Sequence, residues 1–177
     1  AVLEPDEIFP EIRNVRGPTS AIDTTGPYMV SADLVEENPL NMYVYYRYNG
    51  EGEYERVRME LAGGATFEGG IPGAAAGTTV EYYVRAMDGF EHFTYHPVDY
   101  ESAPLSFSVH DPARWDRNGD GRMGAADLLE LLLAGRRSPQ DSALDYDGDG
   151  SFGVNDLLAM LRAMLGGGSE MLAGTGP

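Results

Sequence analysis

The chain has 177 residues, with 29 carboxylates against 12 basic side chains, a net charge of −17 and no cysteine. So acidic a surface repels nucleic acid and anionic lipid and draws cations, and the missing thiols exclude disulfides and thiolate chemistry. Hydrophobic residues make up 42%, enough for packed cores. No apolar run approaches the roughly 20 residues a spanning helix needs, so neither nucleic-acid binding nor membrane insertion is expected.

Residues 1–12 read as an extended acidic N-terminal arm broken by Pro5 and Pro10. AVLEPDEIFP lacks the basic and apolar regions of a secretory signal. It suits a mature end left after cleavage behind an alanine, and an extracellular location is expected. All 12 basic residues are arginine. Residues 1–110 hold 18 carboxylates and residues 111–177 hold 11, against six arginines in each part, giving −12 and −5.

From residue 13 to 110 the pattern is short strands and turns. Strands are expected near 12–16, 28–34, 42–48, 54–60, 65–71, 79–87, 92–96 and 104–109, with turn signals NPLN, NGEG, GG, PGAAAG and DG between them. Val80, Tyr82, Val84 and Ala86 alternate on one face of the strand at 79–87. At 42–48, Val44, Tyr46 and Tyr48 should point inward, while Tyr43 and Tyr45 make the outer face aromatic and become interface candidates. So many strands in about 100 residues predict a mainly β protein built on an antiparallel sandwich. MYVYYRYNGEGEYERVRM and FEGGIPGAAAGTTVEYYVRAMDG resemble the fibronectin type III or immunoglobulin-like modules of secreted bacterial proteins. That resemblance implies a fold for residues 13–110 and no particular chemistry.

HDPAR (110–114) reads as a linker, and residues 111–166 as a second domain with a small α part. It opens on DRNGDGRMGAAD (116–127), nearly repeated 29 residues later as DYDGDGSFGVND (145–156). Calcium takes six to eight oxygens, and a twelve-residue loop supplies them from positions 1, 3, 5, 7, 9 and 12, with glycine at 6 for the turn. In the first loop these are Asp116, Asn118, Asp120, the carbonyl of Arg122, a water beside Gly124, and Asp127, with Gly121 at the turn. In the second they are Asp145, Asp147, Asp149, the carbonyl of Ser151, a water beside Gly153, and Asp156, with Gly150 at the turn. Two calcium ions are therefore expected. The second site, with four carboxylates to the first's three, should bind more tightly, and metal binding should be coupled to folding. Met123 and Phe152 take position 8, where paired loops place apolar side chains that pack together.

Each loop is followed by an apolar helix. AADLLELLLAGRR carries leucines almost all round, so part of its surface should be covered by something else, and Leu132 and Leu133 are interface candidates. VNDLLAMLRAML is more one-sided, with Met160 in its core or in a contact patch. Gly135 and Gly166 read as helix stops. Neither loop follows a convincing entering helix, since HDPARW and RRSPQDSAL each contain proline. A sensor that opens by swinging two helices apart is therefore not expected. The glycine-rich tail, 167–177, should be disordered by itself.

The stretch 114–166 resembles dockerin type I: D-x-N-x-D-G-x-M-G-x-x-D-L-L, helix, linker, then D-x-D-x-D-G-x-F-G-x-x-D-L-L. The resemblance implies a calcium-locked plug for a cohesin domain, recognised through loop positions 10 and 11 and basic residues along the helix. Here those places hold Ala125, Ala126, Leu132 and Leu133 in one repeat, and Val154, Asn155, Leu161 and Arg162 in the other. The hydroxyl and basic pattern is largely replaced.

Elsewhere, His92, His96 and His110 read as structural, Asp88–Gly89 as a hairpin turn, and Trp115 as packing. No nucleophile elbow, phosphate loop or HExxH is present. The expected function is a non-enzymatic, extracellular, calcium-binding structural protein that assembles with copies of itself into a filament, tube or surface layer. The alternatives are a module docking onto a cohesin-like receptor, or a non-catalytic fragment of a larger secreted hydrolase.

Overall fold

Alternation along residues 79–88 puts Val80, Tyr82, Val84 and Ala86 on a face withdrawn from solvent, and that face is one wall of the larger core. The computed structural model describes residues 9–36 and 39–165, with nothing said of the side chains of residues 39 and 40. Most of the N-terminal arm, the C-terminal tail and the helix stop expected at Gly166 lie outside the described residues. The protein is mainly β, with antiparallel sheets and a few helices. The strands are β1 (Glu11–Arg16), β2 (Ser20–Ala21), β3 (Tyr28–Val35), β4 (Pro39–Tyr48), β5 (Glu51–Arg58), β6 (Glu60–Gly63), β7 (Thr66–Ile71), β8 (Thr79–Asp88), β9 (Phe93–His96) and β10 (Leu105–Val109). The helices are α1 (Pro112–Trp115), α2 (Ala125–Arg137) and α3 (Val154–Met164), with a 3-10 turn at Ser142–Leu144. No helix among the described residues is long and apolar enough to cross a membrane.

The chain divides into two compact units. The first comprises residues up to Pro18, Thr25–Ala74 and Thr79–Ser106; the second comprises Thr19–Thr24, Ala75–Thr78 and Phe107 onward. In the first unit, β1, β3, β7 and β6 form one antiparallel sheet. The strands β9, β8, β4 and β5 lie side by side, also antiparallel, in the other. Val30 and Ala32 of β3, Ile71 of β7, Val44 and Tyr46 of β4 and Val84 of β8 are all buried, and each valine or isoleucine among them contributes roughly 2 kcal/mol. Gly69 lets the sheets approach: a Cβ there would lie 2.9 Å from Met59 Cγ and 3.3 Å from Val44 Cγ1. The β4–β5 hairpin turns on Asn49 and Gly50, both at positive φ (55° and 69°), as its Asn-Gly pair favours.

Two expectations fail here. Residues 54–60 are not one strand. The chain leaves the β4 partner strand β5 at Arg58, passes through the buried Met59, and enters the opposite sheet as β6. Met59 N–H donates to Met42 O at 2.9 Å, which anchors this corner. The NPLN segment, expected to be a turn, has already entered β4 at Pro39.

In the second unit, β2 and β10 pair in parallel, Ser20 opposite Ser108 and Ala21 opposite Val109. Leu131, Leu144 and Met160 form its buried centre, with Trp115, Leu128, Tyr146 and Phe152 packed around them. Leu131 and Met160 stand at equivalent places in the two repeats, so Met160 belongs to the core. Gly135 is not a helix stop. It lies inside α2, where a Cβ would sit 2.0 Å from Phe152 Cδ1, so only glycine lets the ring close over the helix. Phe152 has this contact, and its N–H donates to Pro139 O at 2.8 Å.

Candidate metal centre

Each acidic loop is stitched by its own carboxylates, and the stitches repeat between the two. In the first, Asp116 Oδ2 accepts from Gly121 N–H at 2.8 Å, and Asp120 Oδ1 from Arg122 N–H at 2.9 Å. In the second, Asp145 Oδ2 accepts from Gly150 N–H at 2.9 Å, and Asp149 Oδ1 from Ser151 N–H at 2.9 Å. Gly121 and Gly150, sixth in their loops, turn the chain at φ 79° and 92°.

The twelfth-position carboxylates tie the ends of each loop together. Asp127 is buried and accepts from Asn118 N–H at 3.1 Å and Gly124 N–H at 2.7 Å. Asp156, also buried, accepts from Tyr146, Asp147 and Gly153 N–H at 2.6, 3.2 and 2.5 Å. Each sits at the third position of its helix and reaches back to the residue that starts it, which favours negative charge at that helix end. Burial alone would push the Asp156 pKa up, but the amides of Gly153, Tyr146 and Asp147 outweigh it and hold the carboxyl below its ordinary value.

Asp145, Asp147 and Asp149 converge, their ligand oxygens all within 4.8 Å of one another. In the first loop Asn118 replaces the middle carboxylate and its Nδ2 donates to Asp120 Oδ2 at 3.0 Å. The donors available in both loops are hard oxygens. The chain has no cysteine, and its histidines at 92, 96 and 110 belong to neither loop. Such a set fits calcium in preference to zinc or copper. The side chains of Asp116, Asn118, Asp120 and Asp127, and of Asp145, Asp147, Asp149 and Asp156, would hold the ions. Arg122 and Ser151 would offer their carbonyls. The bound cation would supply charge compensation and cross-linking.

Three residues, two directly ahead of the first loop and one within the second, were not foreseen as part of the site. Arg114 Nη2 donates to Asp145 O at 2.5 Å, its guanidinium lies 4.6 Å over the Tyr146 ring, and Tyr146 Oη donates to Arg114 O. Trp115 packs edge-on against Tyr146 at 4.9 Å and tilts onto His110 at 4.5 Å. Burial pushes the His110 pKa down. The available sign was the place of Arg117 and Tyr146 as second residues of the repeats, where Arg117 Nη1 donates to Tyr146 Oη at 3.5 Å.

Of the interface candidates, Leu132 is half-buried and helps line an apolar groove of about 300 Å³ between α2 and α3, with Leu128, Leu129, Leu157 and Leu161. Leu133 is 36% exposed, Leu129 55% and Leu165 72%, so much of this leucine-rich surface is uncovered within the described chain. Tyr43 and Tyr45 are half-buried: Tyr45 stacks on Tyr83 at 4.8 Å, and Arg56 lies 4.9 Å over Tyr43. His92 is structural, its Nδ1 2.8 Å from Asp88 Oδ2 in the β8–β9 turn.

No family model matches the chain, and no curated protein matches it. Among solved structures it is similar to a Br derivative of BhCBM56 (14% identity, TM-score 0.35, 56% of this chain and 88% of that one). It is also similar to a family 76 glycoside hydrolase from a bovine Bacteroides thetaiotaomicron strain (11% identity, TM-score 0.37, 81% of this chain and 30% of that one). A third likeness is to astrotactin-2, a vertebrate-specific, perforin-like membrane protein (8% identity, TM-score 0.36, 88% of this chain and 36% of that one). The chain thus spans about a third of the length of the latter two. At these TM-scores none of them carries an argument about function.

Proposed function

We propose that the chain is a non-enzymatic, extracellular, calcium-binding assembly protein, an immunoglobulin- or fibronectin III-like module followed by a dockerin-like pair of loops. The observation that carries this reading is the convergence of the Asp145, Asp147 and Asp149 oxygens on a backbone scaffold that the first loop repeats bond for bond at four places. Carboxylates held so close repel one another, and a divalent cation removes that cost. The cations lock each loop onto the helix that follows it.

The leucine face of α2 and α3 supports a contact with another protein, and we take a second copy of this chain as its occupant. Groove and exposed leucines lie on the same helix pair, so one copy offers both the cleft and the ridge that a two-fold contact needs. A filament, tube or layer requires one further, different contact. The same groove favours docking onto a cohesin-like domain as a second reading.

Calorimetry should find two calcium ions per chain, and anomalous scattering should place one in each loop; empty loops at millimolar calcium would overturn the calcium reading. Sedimentation in calcium and in EGTA tests the assembly. Calcium-dependent oligomers support self-association, and a monomer under both conditions rules it out. Capture of a cohesin domain from the same source by that monomer would establish the second reading.

A further inference from the structure

Four of the six arginines in residues 1–110 stand on the outer face of the β9-β8-β4-β5 layer: Arg47, Arg56, Arg58 and Arg85. Arg47 meets Glu81 at 2.7 Å and Arg58 meets Glu60 at 3.5 Å. Among the described residues, Arg56 and Arg85 have no carboxylate partner. Both are gathered at Tyr45 instead. Arg85 lies between the rings of Tyr45 and Phe93, 5.0 and 5.1 Å from their centroids, and Arg56 lies over Tyr43 and donates to Tyr45 Oη at 3.4 Å. Tyr83, itself buried, stacks on Tyr45 at 4.8 Å and holds that ring in place. Arg85 Nε is withdrawn from solvent with no acceptor among the described residues. Stacking fixes the plane of a guanidinium and leaves its N–H edge for a carboxylate.

The other sheet presents the opposite charge. Gly69 of β7 faces inward, since a Cβ there would lie 3.3 Å from Val44 Cγ1, so Glu68 beside it points outward. Glu60 of β6 stands directly opposite Glu68 and shares that face, and both are exposed. Like charges directly opposite one another oppose the pairing of their strands. Glu60 has only its exposed contact with Arg58, which is worth little. Glu68 has no basic partner among the described residues. Arg13 and Arg16 belong to β1, at the opposite edge of that sheet. The two patches also lie back to back. Val44 and Gly69 meet in the core, and the residues flanking them, Tyr43 and Tyr45 on one side and Glu68 on the other, point out through the two outer faces at the same place.

We propose that the arginine–tyrosine face of one copy takes the glutamate pair of a second copy, with Glu60 and Glu68 accepting from Arg56 and Arg85. Each copy then receives a glutamate pair on one face and offers its own on the other. Such a front-to-back contact joins two different surfaces and does not close on itself, so it propagates into an open stack. It goes beyond the leucine-face contact of α2 and α3 and does not depend on it. Together the two would supply the different contacts that a filament or layer requires.

Sedimentation of the full chain in calcium at low salt reads this contact. The intact chain should grow past the dimer that a two-fold leucine contact allows. Arg56→Glu with Arg85→Glu should stop at the dimer, and so should Glu60→Arg with Glu68→Arg. In each, the concentration needed for growth should rise about tenfold or more, because like charges are set face to face. An equimolar mixture of the two variants should grow again, since each altered face then meets its complement and each unaltered face its native partner. Raising the ionic strength from about 0.01 M to 1 M shortens the screening length from about 30 to 3 Å and should return the intact chain to the dimer. Glu60 and Glu68 are exposed, so their variant decides the matter even if the Arg85 change disturbs the rings around it. Variants that grow as the intact chain does overturn the contact, as does a mixture of variants, each folded by circular dichroism, that fails to recover. An intact chain that stops at a calcium-dependent dimer overturns it and leaves the leucine contact standing. Variants that fall to monomers, with growth restored in the mixture, uphold it and remove the leucine contact.

Discussion

At Gly135 one methyl group decides between two opposing effects. Alanine inside a helix is favoured over glycine by about 1 kcal/mol. Here its Cβ would overlap the Phe152 ring, at 2.0 and 2.1 Å from two ring carbons. Overpacking of a core costs about 1–3 kcal/mol. Gly135→Ala should therefore lower stability by up to about 2 kcal/mol in thermal unfolding, and Phe152→Leu in the same chain should recover part of that; a more stable single variant would show that the ring moves aside freely. Asp88 gives a pH test in the other unit. Burial pushes its pKa up, but the N–H groups of His92 and Phe90 and the His92 side chain outweigh it and hold it below 3.8. A carboxyl depressed in the folded state contributes stability above its unfolded pKa and loses it as pH falls through the folded value. The stability difference between native chain and Asp88→Asn should be constant above about pH 5 and shrink below about pH 4. An unchanged difference down to pH 2 would sink the assignment. The loop carboxylates were legible in the sequence because their spacing is the signal. What spacing does not carry is that Asp127 and Asp156 also accept the amides of their own loops, since that depends on where the helix start returns the chain.

At the scale of elements, α2 runs over the AADLLELLLAGRR stretch expected from sequence, and β8 keeps its expected inward face, although Tyr83 on the other face is buried as well. Both have a strong internal period. The break at Met59 was hidden because a chain that changes sheets keeps its strand composition on both sides, and only long-range pairing marks the corner. The two-residue β2 has too few side chains to show any period, and its partner β10 is distant in sequence. For α2 the leucine count announced a surface in need of cover, and Leu131 alone of its leucines is fully buried. Leu129 and Leu133 can therefore be replaced without opening a cavity. Leu129→Gln with Leu133→Gln should shift stability by about 1 kcal/mol or less while abolishing calcium-dependent association in sedimentation. A variant that unfolds, or that still associates, would show that this face is not the contact.

At the scale of the whole molecule, the two units should respond differently to calcium, because both acidic loops belong to one of them. The chain has a single tryptophan, Trp115, which packs against Tyr146, and the amide of Tyr146 is held by Asp156. Its fluorescence is therefore a built-in reporter of the second loop. Calcium at a hundred times its dissociation constant stabilises the folded state by about 2.7 kcal/mol per site. Removing calcium with EGTA should move Trp115 emission to longer wavelength and lower one unfolding transition. A second transition, followed by the circular dichroism of the tyrosine-rich β unit, should stay where it was. Asp149→Asn should weaken the response of Trp115 to calcium while leaving the first loop's ion in place, because Asp149 offers its carboxylate only to the second cluster. Trp115 emission that ignores calcium, or a β transition that follows it, would mean that the cation does not act through the loop to which Tyr146 belongs.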